Sequence, residues 1–535
     1  MKRLPFLLCT LVACGGTPEK PTTPTGGGDG GGSGAKPAAA GDVSFELTGI
    51  EIKGVVFEPE ALGRPGMPLV EAKKKVTIDK QRTVFTNTKD PVQKEAQAAI
   101  LATLLYQKAK DDKTNEKALW TEARQALRDA AQISGDKVDE ITLRLLGSYE
   151  LLLEDYPAAE KAWSTLVKNA PKDKEVQYNR AWWAYSLLKQ SKNADALAVV
   201  KDEVLSDKQP ELAYVMAWAK WRGSDDAGAW TAIVAAEKGW GNNPGKEAVD
   251  RDVYLFAGRS NVSLAETTPA MFALFGAKTP RQQFEVLAKL GLQSYQFAGR
   301  WADAVASIDK AFQIGGTTVL PNETPVLRFQ QADFTVRLDA PEVSAKYAQQ
   351  AIAALPVCGT KCTEKDKQDI VLGVFGMGAV FHSLYATSND VRYYQPAHDL
   401  YAATVAIIMD EARRNEAAKN QAILEATLKS TKVGTGTHDK TRIGPLLDRH
   451  AQEIQACYEA VLAANPKLGG RITLTLESDQ TGAMKGVATD PKAGLADLSA
   501  VAGCVAEHAK GWKLPKRGMA GSTRIKLGYT LSPRK

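Results

Sequence analysis

Two stretches of this chain share one ordered spacing of small and bulky residues, and that spacing limits the fold more than any other feature. In the first, Leu146-Gly147 is followed by Asp155-Tyr156, Ala159, Trp163 and Pro171. The second carries Tyr295, Gly299, Trp301, Ala304, Ala311 and Phe312. A small residue in one helix lets a second helix approach closely, an aromatic fills the hole its neighbour leaves, and proline ends the pair. Trp182-Trp183 with Ala196-Leu197, and Trp218 with Trp221 and Trp230, read as degenerate copies. Helices near 92–111 and 115–133 form a first pair, residues 326–355 continue the series, and 367–387 with 396–415 form a last pair. About six or seven helical hairpins are therefore expected between residues 92 and 430. Nine of the ten tryptophans fall between 120 and 301, and burial in the core between hairpins is their ordinary use.

Period and residue types resemble the tetratricopeptide repeat. The resemblance implies an α-solenoid whose concave groove binds segments of other proteins, so a scaffold is expected rather than a catalyst.

The ends of the chain differ from this middle. Lys2-Arg3, a short apolar run from Leu4 to Leu11, and Leu11-Val12-Ala13-Cys14 resemble the lipobox of bacterial lipoproteins. The resemblance implies a signal peptide over 1–13, cleavage before Cys14 and lipidation of its thiol. More than one acyl chain is needed for stable anchoring. Gly15 after the cysteine implies outer-membrane sorting. Residues 14–41 read as a lipidated tether: ten of the 27 residues from 15 to 41 are glycine and four are proline. Such a segment buries too little to offset its chain entropy, and as a coil it spans roughly 30 Å. Residues 42–91 read as a small β-rich region: Val43, Phe45 and Leu47 alternate with polar residues, as do Ile50 and Ile52, and Val76 with Ile78 beyond a Pro/Gly-rich loop. A linker is expected over 431–444, with Gly434 and Gly436.

Residues 445–535 read as a small α+β domain in the order helix, strand, strand, helix, strand. Ile454, Cys457, Tyr458 and Val461 share one helix face; Ile472, Leu474 and Leu476 alternate as a strand that turns at Asp479–Gly482; Leu495, Leu498, Val501 and Val505 mark a second helix; Ile525, Leu527, Tyr529 and Leu531 form the last strand. Cys457-Tyr458, Pro466-Lys467-Leu468-Gly469-Gly470, Cys504 and Gly511-Trp512-Lys513-Leu514-Pro515 resemble the C-terminal domain shared by AgmX and PglI, which is similar to that of TonB. Leu514 stands where that family often has Phe. Lipobox, tether, hairpins and this domain together resemble the tetratricopeptide lipoproteins of the myxobacterial gliding machinery. That layout implies a periplasm-facing outer-membrane component of the gliding-motility (Agl-Glt) envelope complex, with envelope proteins as partners through the groove and the C-terminal domain. On this reading the last strand adds to a partner's sheet edge. The alternative is an assembly factor or chaperone that uses the same groove for outer-membrane or secreted proteins.

With Cys9 in the signal and Cys14 lipidated, four cysteines remain. Cys457 pairs with Cys504 and Cys358 with Cys362, as an oxidising compartment allows. No catalytic motif emerges. The five histidines (His382, His398, His438, His450 and His508) include no His-Glu-x-x-His. Gly241–Lys246 is one residue short of a phosphate loop, and Glu247 replaces its Ser/Thr. Gly373, Gly376 and Gly378 follow no strand, and no Gly-x-Ser-x-Gly occurs. No metal ligand set and no cofactor is expected. A formal charge of +6 spread over 68 basic and 62 acidic residues gives no basis for nucleic-acid binding.

Overall fold

A computed structural model describes residues 43–63, 66–70, 76–201, 203–260, 262–388, 390–429, 447, 450–491, 496–514 and 521–534. The expected signal, tether and linker lie outside them. The chain divides into two compact units. One holds Val55–Ala277 with Glu459–Lys467; the other holds the strand ending at Gly54, Lys278–Tyr458 and Leu468–Ser532. The described residues are mostly helical, and the helices pack in pairs.

The first unit contains four hairpins: Pro91–Asp111 with Glu116–Ser134, Glu140–Leu152 with Tyr156–Asn169, Val176–Lys189 with Asn193–Val200, and Pro210–Arg222 with Asp226–Trp240. Helix Lys246–Arg259 packs on the last of these. The second unit contains three: Pro280–Leu290, prolonged by a π turn at Gly291–Tyr295, with Trp301–Gly315; Glu323–Arg337 with Pro341–Cys358; and Glu364–Ser388 with Tyr394–Val405. Eight of the nine tryptophans between 120 and 301 are buried; Trp183 is half-buried.

One turn recurs in both units. Glu154, Ser191, Ser224, Gly299 and Asp339 have φ between 54° and 70°, and each lies two residues before the second helix of its hairpin. The next residue's N–H reaches back five residues: Asp155 to Glu150, Lys192 to Leu187, Asp225 to Lys220, Arg300 to Tyr295 and Ala340 to Thr335, all at 2.8–3.0 Å. This closure satisfies carbonyls that the first helix would leave open.

The close approach expected at Gly147 is present. A Cβ there would lie 2.7 Å from the Trp163 ring, which is fully buried. Gly147→Ala is expected to destabilise by about 1–2 kcal/mol, because overpacking outweighs the helix-propensity gain. Chemical denaturation of the two proteins checks this, and an alanine variant as stable as the parent would refute it. In the second motif the close-approach residue is Gly291, not Gly299. A Cβ on Gly291 would meet Ile308 at 2.9 Å and the Ala304 carbonyl at 3.0 Å. Gly291 lies ten residues before Trp301, whereas Gly147 lies nine before Tyr156. The π turn absorbs the extra residue.

Glu364–Ala386 is long and apolar enough to cross a membrane by composition. Here it is a core helix. Val374, Met377, Phe381 and Leu384 are buried, and Gly373 and Gly378 sit against Phe329 and Tyr401.

The sheet has four strands in the order β1-β4-β2-β3: β1 Val43–Gly54, β2 Gly470–Ser478, β3 Met484–Pro491 and β4 Thr523–Pro533. β2 is antiparallel to β3 and to β4, with Ile472 opposite Tyr529, Leu474 opposite Leu527 and Leu476 opposite Ile525. These six side chains are buried, and helix Ala496–Lys510 packs against β2 and β3. β1 lies beside β4 with Glu46 paired to Lys526 at 3.2 Å and Thr48 against Gly528. Both numbers rise together, so this pair is parallel and the sheet is mixed.

Two expectations are corrected. Among the described residues, the N-terminal region contributes one strand rather than several, and Ile78 begins helix Ile78–Asn87. Two alternating residues are too few to define a strand, and the Thr77 hydroxyl caps the helix by accepting from the Lys80 N–H. The last strand, β4, lies between β1 and β2. It therefore has no open edge for a partner, because its backbone groups on both sides face neighbours.

Candidate functional site

In the first unit, residues 55–63 form a strap over the helices rather than further strands. Phe57 packs edge-on against Trp221, and its carbonyl accepts from Arg222 at 3.2 Å. The Tyr214 hydroxyl accepts from the N–H groups of Glu60 and Ala61 at 3.0 and 3.1 Å and donates to Asp252 at 2.6 Å. Beside this lock is a cavity of about 650 Å³ lined by Asn243, Gly245, Lys246, Glu247, Ala248 and Arg251. Gly245 has φ +89°, and a Cβ there would strike the Ala61 carbonyl. The strap thus needs glycine at this position.

The ionisable groups around the cavity are engaged with one another. Burial pushes Asp252 up to about 6, against the pull of the Tyr214 hydroxyl and Arg251. Burial likewise raises Glu237 to about 7, although Lys246 beside it opposes the rise. Lys246 bonds both Glu237 and Asp250, and Arg251 bonds Glu60 and Asp252. These pairings engage both cations that line the cavity.

The raised carboxyls give the unit a definite pH response. A carboxyl whose folded pKa exceeds its unfolded value binds its proton more tightly in the folded state. Its stabilisation is full below about pH 4 and is lost as pH rises through about 6 for Asp252 and about 7 for Glu237. Asp252→Asn is therefore expected to flatten the dependence of stability on pH between 4 and 6. Denaturation midpoints across that range check it, and an unaltered slope would count against the buried acid.

A second cavity, of about 580 Å³, opens across three hairpin helices and is lined in part by Glu160, Arg180, Trp183, Leu187, Val199 and Glu203. Trp183 and Leu187 share one face of Val176–Lys189 at i, i+4. Arg180 pairs with Glu203, and Glu160 accepts from Lys192 at 2.7 Å. The arrangement is an apolar floor flanked by two ion pairs, and it suits a bulky apolar side chain.

The cysteines outside the N-terminal region pair as expected. Cys358 is bonded to Cys362 around a single 3-10 turn, and Cys457 to Cys504 between helices Ala451–Leu462 and Ala496–Lys510. Cys14 and His438 lie outside the described residues. His382 approaches the Tyr401 hydroxyl at 3.3 Å, and burial lowers its pKa. His398 lies 3.4 Å from both Asp399 and Glu425.

Sequence reasoning missed a clasp built on His450. Its ring stacks on Trp512 with centroids 4.1 Å apart, and its Nδ1 lies 3.3 Å from Glu453. Trp512 Nε1 donates to Glu453 at 2.7 Å. Burial by itself would raise Glu453, but the hydrogen bonds from His450 and Trp512 hold it below the usual carboxylate range. Glu453 also packs against Gly299, and Gln452 donates to the Phe297 carbonyl at 3.4 Å. The clasp thus holds the start of Ala451–Leu462 against the turn of a hairpin in the same unit. Trp512 was legible as part of a motif, but its partners are 59 and 62 residues away along the chain, where no local spacing reveals them.

No protein-family model matches this sequence, and no curated protein matches it.

Proposed function

We propose that this chain is a lipid-anchored, periplasm-facing scaffold of the outer membrane. On this proposal it binds envelope proteins, acts without catalysis, and serves the gliding-motility envelope complex. The observation that carries the reading is the set of helical hairpins in each unit, five of them closed by the same turn, together with the apolar depression around Trp183 and Leu187 in the first unit. Hairpin stacks of tetratricopeptide type use such surfaces to hold segments of other proteins. The Cys14 lipobox and the glycine-rich tether supply the anchor and the reach.

The first test is single-cell tracking on a firm surface of a strain lacking this protein, with and without the restored gene. Loss of isolated-cell movement that the gene restores supports the assignment; normal movement discards it. Cys14→Ala is expected to shift the protein from the membrane fraction to the soluble periplasmic fraction. Retention of that variant in outer membranes would refute the anchor. Crosslinking from residue 183 separates the two uses of the groove: one fixed set of envelope partners supports the scaffold, whereas many transient unfolded clients support the chaperone.

A further inference from the structure

We propose that the Cys457–Cys504 pair, once reduced, forms with His508 a binding site for one zinc ion. The inference is independent of the scaffold reading.

Three features carry it. The ligand atoms of Cys457, Cys504 and His508 all lie within 4.8 Å of one another. Cys504 and His508 are four residues apart on helix Ala496–Lys510, so they face the same way, and Cys457 meets them from helix Ala451–Leu462. Exposure is graded: Cys457 is buried, Cys504 half-buried and His508 exposed, which gives an ion a route in and leaves one coordination position toward solvent. Two thiolates and an imidazole form a borderline-soft donor set that suits zinc and does not suit magnesium or calcium. In a tetrahedral zinc site, bonds of about 2.3 Å hold the sulfurs roughly 3.8 Å apart. The two sulfurs therefore need to separate by about 2 Å, a side-chain adjustment rather than a change of fold. Glu453, one turn before Cys457, is already held by Trp512 and His450, so water completes the site.

The chemistry requires a two-electron reductant of the dithiol class. One thiolate of the reductant attacks the half-buried Cys504 sulfur, the S–S bond breaks, and Cys457 leaves as a thiolate. The reductant's second thiol then displaces Cys504 and closes its own disulfide. Two electrons and two protons are transferred to the cysteines, and zinc displaces those two protons when it binds. Cys358 and Cys362 have no comparable third ligand among the described residues, so the site is specific to the C-terminal pair.

The test uses the full chain with Ser at Cys9, Cys14, Cys358 and Cys362, reduced on a resin-bound dithiol and filtered free of it. Cobalt is titrated as a spectroscopic stand-in, followed by zinc in competition with a chromophoric chelator. The expected result is one equivalent of metal, a thiolate-to-cobalt charge-transfer band, and a rise in melting temperature when zinc is added to the reduced chain. His508→Ala leaves the disulfide form intact, which its oxidised melting curve verifies. In the reduced form it is expected to weaken zinc binding by about tenfold or more. Absence of the band at equimolar cobalt overturns the proposal. So does zinc stabilisation of the His508→Ala protein equal to that of the parent.

Discussion

Replacing both Cys457 and Cys504 by serine is expected to destabilise the fold around β2 and β4 by about 4 kcal/mol. The bond spans 47 residues and encloses the end of helix Ala451–Leu462 from Cys457 onward, β2, β3 and the start of Ala496–Lys510. Opening it frees that whole loop in the unfolded chain. The chain-entropy relation gives only about 2 kcal/mol for Cys358–Cys362, which spans four residues. The contrast makes the prediction specific. Amides of Leu474 and Leu527, buried at the centre of the sheet, are expected to exchange with solvent about a thousand times faster in the Cys457/Cys504 variant, since each 1.4 kcal/mol is a factor of ten. They are expected to change far less in the Cys358/Cys362 variant. Native-state hydrogen exchange on the full chain decides it: protection within threefold of the parent in the first variant would show that packing alone holds the sheet.

What the sequence disclosed about this fold follows from how far apart the informative residues lie. Within a hairpin the residues that meet are about 16 apart, as Gly147 and Trp163 are, so periodicity finds them; the helix expected over 396–415 is the exception, ending at Val405 before a separate helix Glu411–Lys429. The hairpin turns were hidden. Four of the five positions with positive φ are Glu, Ser, Ser and Asp, and no turn signal attaches to Glu. The partner of β1 was hidden more deeply. β1 pairs with β4 some 480 residues later, and its alternating pattern shows that one face is buried but not against what. The same limit applies to the candidate sites. Cys457 and Cys504 were legible because cysteines are few and each lies on an apolar helix face. Glu453 and His508 each stand one turn from a cysteine on its own helix, but a single Glu or His at that spacing is ordinary in a helix and does not mark a site.

Glu459→Ala is expected to cost the first unit about 3–5 kcal/mol. Glu459 and Arg259 are almost wholly buried, with side-chain exposures of 3% and 7%, and their carboxylate and guanidinium are bonded. The Val55 N–H donates to the other carboxylate oxygen at 2.9 Å, and the guanidinium lies over the Phe57 ring at 5.5 Å. One carboxylate therefore neutralises a buried cation and fixes the start of the strap. Its loss leaves a guanidinium with its principal counter-charge gone and a backbone N–H without that acceptor, and the desolvation of both then goes uncompensated. The pair itself is worth much less than this, because its attraction is largely offset by the cost of removing both charges from water. Arg259→Met with Glu459→Leu should therefore destabilise less than Glu459→Ala alone, although it removes more. Urea denaturation of the three proteins, followed by the tryptophan fluorescence that the first unit dominates, tests both parts. A Glu459→Ala loss below about 1 kcal/mol, the range of an exposed pair, would mean that water reaches the guanidinium. A double variant as damaged as the single one would place the cost in lost packing rather than in a stranded charge.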